Sequence, residues 1–341
     1  MIGRAWAGSA ARGAAFVAMA LLAATGRAAA VDHIKIGTLF TAGGGPLYLA
    51  VEKGFFAEQG IEAELVPFDA GQPVAVATVA GAIDFGAAGI TSALYTFAGQ
   101  NELRIIAGNE YDSAVHHSSG VIASKAAYAK GLVALKDLGG HSIGLTQIGS
   151  SYHYAVAILA EKFGFDMKTI RPLPLQSFAN VASAVSGGTA DAAVMPTAAT
   201  LPLVQRGAVK LVGWVGDAVP WQVAVMWTTV KTANGRPDLV RRFLRAVRKG
   251  VAANNGAFAK PDGTRADGPT APDVVAIIGK YVKLAPADIE ANVGYVDPEL
   301  RVDGKDIERQ IDWYRSQGMI KVDVTLDQVL DRRYVKLRGA P

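Results

Sequence analysis

Cysteine is absent from all 341 residues. Its absence excludes disulfides, thiolate metal sites, a cysteine nucleophile and an N-terminal cysteine able to carry a lipid. A chain this long, half of it hydrophobic, can bury its cores without such staples. The motifs of common enzyme chemistry are missing too. There is no HExxH, no Walker loop, no GxGxxG dinucleotide fingerprint and no Ser/His/Asp triad order. No catalytic residue, metal site or cofactor is therefore expected. Beyond residue 30, no segment is apolar and long enough to cross a bilayer.

A strong charge of one sign is lacking as well, once the N-terminus is set apart. Arg4 and Arg12 make a basic start, Ala14 to Ala24 form a short apolar run, and Ala28 and Ala30 supply a small-x-small pattern. Residues 1–30 read as a secretory signal peptide cleaved near Ala30, which predicts a periplasmic protein. They hold Arg4, Arg12 and Arg27 and no acid. Removing those three from 34 basic residues leaves 31 against 30 acidic ones, and the net charge falls from +4 to +1. A nucleic-acid or membrane-surface partner has no support in that balance.

The most informative run is Gly45 to Glu62. An apolar strand, Ile34 to Phe40, feeds the glycine-rich bend Thr41 to Gly45. Pro46 stands where a helix begins, a place that tolerates its missing N–H. Leu47, Tyr48, Val51 and Phe55 share one helical face, Gly54 and Gly60 stop it, and Ile61 to Val66 read as the next strand.

This opening is echoed further on. Ile36-Gly37 recurs as Ile143-Gly144, Gly81-x-x-Asp84 as Gly188-x-x-Asp191, Pro67 as Pro174 and Val74-Ala75 as Val181-Ala182. The offset is 107 residues each time, from 36 to 143 and from 84 to 191. Two similar units of alternating strands and helices follow, each giving a mostly parallel sheet flanked by helices. The strands of the first unit end at Ala88 and Gly108. Strand 222–229 returns the chain to the first unit, which predicts lobe I from 31–118 plus 222–341 and lobe II from 119–221. Pro237 starts a helix with Leu239, Val240, Phe243, Leu244, Val247 and Val251 on its core face. Arg241, Arg242, Arg245, Arg248 and Lys249 lie on a solvated side rather than at a phosphate site.

These residues carry a family likeness over about Ile34 to Tyr334. The run 45–56, Gly81-x-x-Asp84-Phe85-Gly86, Leu135 to Gly140, Gly149-Ser150, Asp191 to Val194 and Pro237 to Leu244 resemble the solute-binding proteins of ABC importers for nitrate, sulfonate and taurine. That family also includes thiamine-pyrimidine-synthase-like proteins. The resemblance implies a two-lobed periplasmic binding fold of type II, with ligand in the cleft and closure about a hinge. It implies a permease and an ATPase at the inner membrane as partners, and we expect a monomer.

In open α/β sheets, ligands sit beyond the carboxyl ends of strands, where loops run into helix N-termini. Four loops qualify, and they make Thr41, Gly44, Gly89, Thr91, Ser92, Gly149, Ser150, Ser151, His153, Met195 and Pro196 the candidate ligand-binding residues. Trp214 and Trp221 flank the second crossing between lobes and are candidates for an aromatic wall, whereas Tyr48 reads as core. Hydroxyls that are ordinary helix caps would be the competing role for the serines and threonines. Adjacent His116 and His117 are a poor metal pair and read as loop. The expected ligand is a small organic or oxyanion solute such as a sulfonate, nitrate or carboxylate, although none of the four loops holds Lys or Arg. The alternatives are a pyrimidine-synthase-like enzyme, disfavoured because its cysteine-rich motif is absent, and a periplasmic sensor subunit sharing the same fold and site.

Overall fold

Two five-stranded sheets carry the chain. The computed structural model describes residues 31–339 apart from 259, 261, 263, 265 and 266, and the expected signal peptide lies outside the described residues. The first sheet holds β1 (Asp32–Thr38), β2 (Ile61–Pro67), β3 (Phe85–Gly89), β4 (Leu103–Asp112) and β10 (Trp221–Thr229), in the order β2-β1-β3-β10-β4. The second holds β5 (Ser119–Ala123), β6 (Ser142–Leu145), β7 (Arg171–Pro174), β8 (Ala192–Pro196) and β9 (Lys210–Trp214), ordered β7-β6-β8-β5-β9. In each sheet four strands run one way and one is reversed. The reversed strands are β10 and β5, each the first strand after the chain crosses from the other sheet. Helices flank both sheets: α1 (Gly45–Glu52), α2 (Gly71–Val79), α3 (Ser92–Gly99), α4 (Ser151–Phe163), α5 (Phe178–Ser186), α6 (Thr197–Gln205), α7 (Pro237–Phe258) and α8 (Gly304–Ser316).

The 107-residue echo has a physical basis. β3 and β8 match at that offset at both ends, as do α2 and α5. The echoed aspartates do the same work: Asp84 Oδ2 accepts from Lys35 N at 2.8 Å, and Asp191 Oδ2 accepts from Ser142 N at 2.8 Å. Each carboxylate thus fastens the start of its lobe's third strand to the first one. The turn before it needs a left-handed residue, met by Gly81 (φ 72°) and Gly188 (φ 78°).

The long helix α7 buries its apolar face on the first sheet, where Phe243 stacks on Phe85 at 4.1 Å. Three of its cations have partners: Arg245 donates to Gln59 Oε1 at 2.8 Å, and the other two are Arg242 and Lys249. Arg242 pairs with Asp32 and Asp238 and donates to Gln59 O, and Lys249 pairs with Glu58. The hydrogen bonds from Arg242 hold the Asp32 carboxyl below its usual range.

The helix α8 joins parts of both sheets' surroundings through one buried carboxylate. Asp306 accepts from Tyr154 Oη (2.8 Å) on α4, from Gln222 N (2.8 Å) on β10 and from Gln310 Nε2 (2.9 Å), and pairs with Arg309 (2.7 Å). Asp306→Ala strands several buried donors at once. It is expected to cost about 3 kcal/mol or more, read as a lower urea midpoint at unchanged m. An unchanged midpoint would show that this carboxylate holds nothing together.

Candidate functional site

A cavity of about 330 Å³ lies where the carboxyl ends of strands from both sheets converge. From the first sheet come Thr38 at the end of β1, Ala87 to Gly89 at the end of β3, and Asn109 to Tyr111 near the end of β4. The bend Thr41 to Gly44 closes that side, held by Tyr48 Oη donating to Thr41 O at 3.0 Å. The second sheet supplies Pro196 at the end of β8 and Trp214 at the end of β9, with Ser151 and Tyr152 of α4 and Phe178 of α5. Asn254, Gly294 and Tyr295 complete the wall.

Six of the thirteen candidates line this cavity: Thr41, Gly44, Gly89, Ser151, Pro196 and Trp214. The other seven are placed elsewhere, for identifiable reasons. The hydroxyls of Thr91 and Ser150 cap their own helices, accepting from Leu94 N (3.3 Å) and His153 N (3.4 Å). Ser92 and Gly149 meet each other: Ser92 N donates to Gly149 O at 3.0 Å, and a side chain at Gly149 (φ 78°) would collide with Ser92 Oγ. His153 is buried, with Nδ1 accepting from Gly149 N at 3.2 Å, and burial drives its pKa down to about 4. Met195 is core, and Trp221 is fully buried with Nε1 donating to Asp112 Oδ2 at 3.2 Å. Several of the helix-end groups expected to face ligand are therefore engaged within the protein. Thr197 N, which donates to Ser118 O at 2.9 Å, follows the same pattern.

The cavity also holds residues outside the thirteen candidates. His116 stacks on Tyr295 (4.2 Å between ring centres) and His117 on Trp214 (5.1 Å), and His117 Nε2 lies 2.6 Å from Asp217 Oδ1. Both histidines lie in a loop, as expected, and that loop lines the cavity. No group of three or more metal-ligating side chains occurs among the described residues. Glu110 is the notable addition. β4 runs four residues past Gly108 and carries Glu110 into the wall and Asp112 behind it. Burial pushes the Glu110 carboxyl up to about 7, helped by the charge of Asp112 and opposed by the Ser118 hydroxyl. Burial likewise raises Asp112 to about 6, against hydrogen bonds from Ser118 N (2.9 Å), Ser119 and Trp221. No lysine or arginine stands among the lining residues.

The two sheets and the cavity between them have the two-lobed α/β fold of periplasmic binding proteins. A family model described as NMT1/THI5 like matches residues 43–263, so the chain belongs to that family. Solved structures share the fold. The alkanesulfonate-binding protein SsuA of Xanthomonas axonopodis pv. citri, bound to MOPS, is 20% identical at a TM-score of 0.70, covering 91% of this chain and all of that one. The periplasmic nitrate-binding protein NrtA of Synechocystis PCC 6803 is 14% identical at 0.70, over 89% of this chain and 87% of that one. A desulfurization enzyme, DSZB, is similar at a lower TM-score of 0.57, 16% identical, over 89% of this chain and 97% of that one. No curated protein matches the sequence.

The raised carboxyls make stability depend on pH with a definite sign. An acid whose folded pKa is raised contributes stability that is complete below its ordinary value and is lost as pH climbs through the folded one. For Glu110 that window runs from 4.5 to about 7. His153 acts oppositely, losing stability as pH falls from 6.5 towards 4, so wild type must be compared with a variant. Glu110→Gln is expected to gain on wild type as pH rises from 5 to 8, by up to about 3 kcal/mol, in thermal or urea melts. A difference that does not vary with pH would show that Glu110 is an ordinary surface acid.

Proposed function

We propose that this chain is the extracytoplasmic solute receptor of an ABC importer, exported by its N-terminal segment and acting in the periplasm as a monomer. The observation that carries the reading is the cavity lined from both sheets, in a chain of this family. Lobe I would comprise 31–118 plus 222–341 and lobe II 119–221, with the two crossings as hinge. A ligand touching both lobes favours the closed form, which then docks on a permease. Binding and release need no bond-making step.

The solute is a small organic molecule. A sulfonate, nitrate or carboxylate would meet Glu110 without a lining cation, and Thr197 N, one of the helix-start donors, is engaged by Ser118 O. Trp214 in the wall supplies a probe.

A melting screen over sulfonates, nitrate, carboxylates, pyrimidines, bicarbonate and organic amines tests the reading. One class should stabilise the protein saturably, by about 2.7 kcal/mol at a hundred times its Kd. The same ligand should alter tryptophan emission in wild type and much less in Trp214→Phe. If no solute moves the melt, the receptor reading fails.

A further inference from the structure

Within the receptor reading, on which this step rests, we infer that the cavity selects an organic cation, a small flat-bodied solute whose protonated nitrogen is received by Glu110, and that it rejects the isosteric anion. Three features of the wall converge on that class.

The first is charge. Among the lining residues Glu110 is the one carboxylate and none is a lysine or arginine; the adjoining pocket that Glu110 also lines holds Arg301 and Arg338, both paired with Asp297. Around Glu110 stand Asp112 on the same strand, Tyr152 at the start of α4, Ser118 and the two histidines of the crossing. Asp112 adds a second acid, and His117 brings its own acid, Asp217, with it. A positive charge entering here gains a charge-assisted partner, whereas an anion finds like charge in a low dielectric.

The second is hydrogen-bond polarity. Asn254 also lines the cavity and is 1% exposed. Its Nδ2 donates to Gly294 O at 2.9 Å, which fixes the amide's orientation, and its Oδ1 is buried with no hydrogen-bond partner. Glu110 is thus an acceptor with no cation beside it in this wall, and Thr197 N at the start of α6 is already spent on Ser118 O. Such a wall suits a ligand rich in N–H donors.

The third is the aromatic lining. Trp214, Tyr295, Tyr152 and Phe178 surround the space, and ring quadrupoles attract cations and apolar bodies but not anions. Burial lifts Glu110 to about 7. A bound cation would draw it back to the carboxylate, so capture would release a proton.

Four ring compounds of one size and opposite charge test the inference: benzamidinium and benzylammonium against benzoate and benzenesulfonate. Melting shifts and titration calorimetry should show saturable binding of at least one cation and none of the anions. Glu110→Gln should weaken the cation at least about tenfold, and Glu110→Asp should keep the preference for cations. Charge selectivity in the wild type needs no variant, so a poorly folding mutant does not blunt the test. Anions binding as well as cations, or cation affinity untouched in Glu110→Gln, would overturn the inference. Silence from all four probes also overturns it. If another class in the wider screen then binds, the receptor reading stands without it; if nothing binds, both fall.

Discussion

One buried carboxylate fixes how the two halves of this molecule meet. Asp306 gathers donors from α4, β10 and its own helix, so the element that leads into each cavity wall is referenced to the same anion. Two residues before Tyr154 stands Tyr152, and next to Gln222 stands Val223; both line the cavity. A buried ion with several donors has few alternative arrangements, because any slippage strands a charge or a donor away from water. The geometry of the cleft is in this sense set outside it. The Asp84 and Asp191 clamps then repeat the device on a smaller scale within each sheet.

Much of this architecture was legible because it is repetitive. Backbone pairing imposes a two-residue period on strands and packing a 3.6-residue period on helices, and two copies of such a pattern at one offset reinforce each other. The Gly-x-x-Asp echo, a weak signal in either copy, marks a left-handed turn and a strand clamp in both. The basic face of α7 was read correctly for the same kind of reason. A stripe of cations opposite a regular apolar face needs only water and nearby acids, and Asp32 and Glu58 supply the acids.

The site was less legible, and the misses have a common cause. Ser, Thr and Gly at a helix start serve a cap and a ligand equally well, and sequence cannot say which partner the hydroxyl takes. Thr91 and Ser150 took the cap. Gly89 and Gly149 bring the lobes close: a side chain on Gly89 would come within 2.6 Å of Ser151 Oγ. Glu110 was missed because Asn109 to Asp112 is too polar to resemble a strand. β4 nonetheless continues there, paired with β10 across register shifts near Gln222 and Ala224. His116 and His117 read correctly as loop, but nothing in the sequence shows that this loop, in the crossing between β4 and β5, turns into the cavity.

The electrostatics of the cavity bear on closure as well as on choice of ligand. The backbone bond from Ser92 to Gly149 is a neutral contact across the lobes, worth about 1 kcal/mol, and it adds to the bonds that Asp306, Arg309 and Tyr314 make to Tyr154 and Ser150. Glu110 and Asp112 pull the other way. Both are raised by burial, and water reaching Glu110, the one that lines the cavity, would relieve its share of that cost. An empty cleft therefore gains by opening to solvent. A positive group inside it reverses the sign, since the same buried acids then gain a partner that bulk water would have screened. Recognition and closure become one event in this picture. Glu110 sets a threshold: a solute with no counter-charge must close the lobes while leaving that carboxyl desolvated and without a cation, and it loses in proportion.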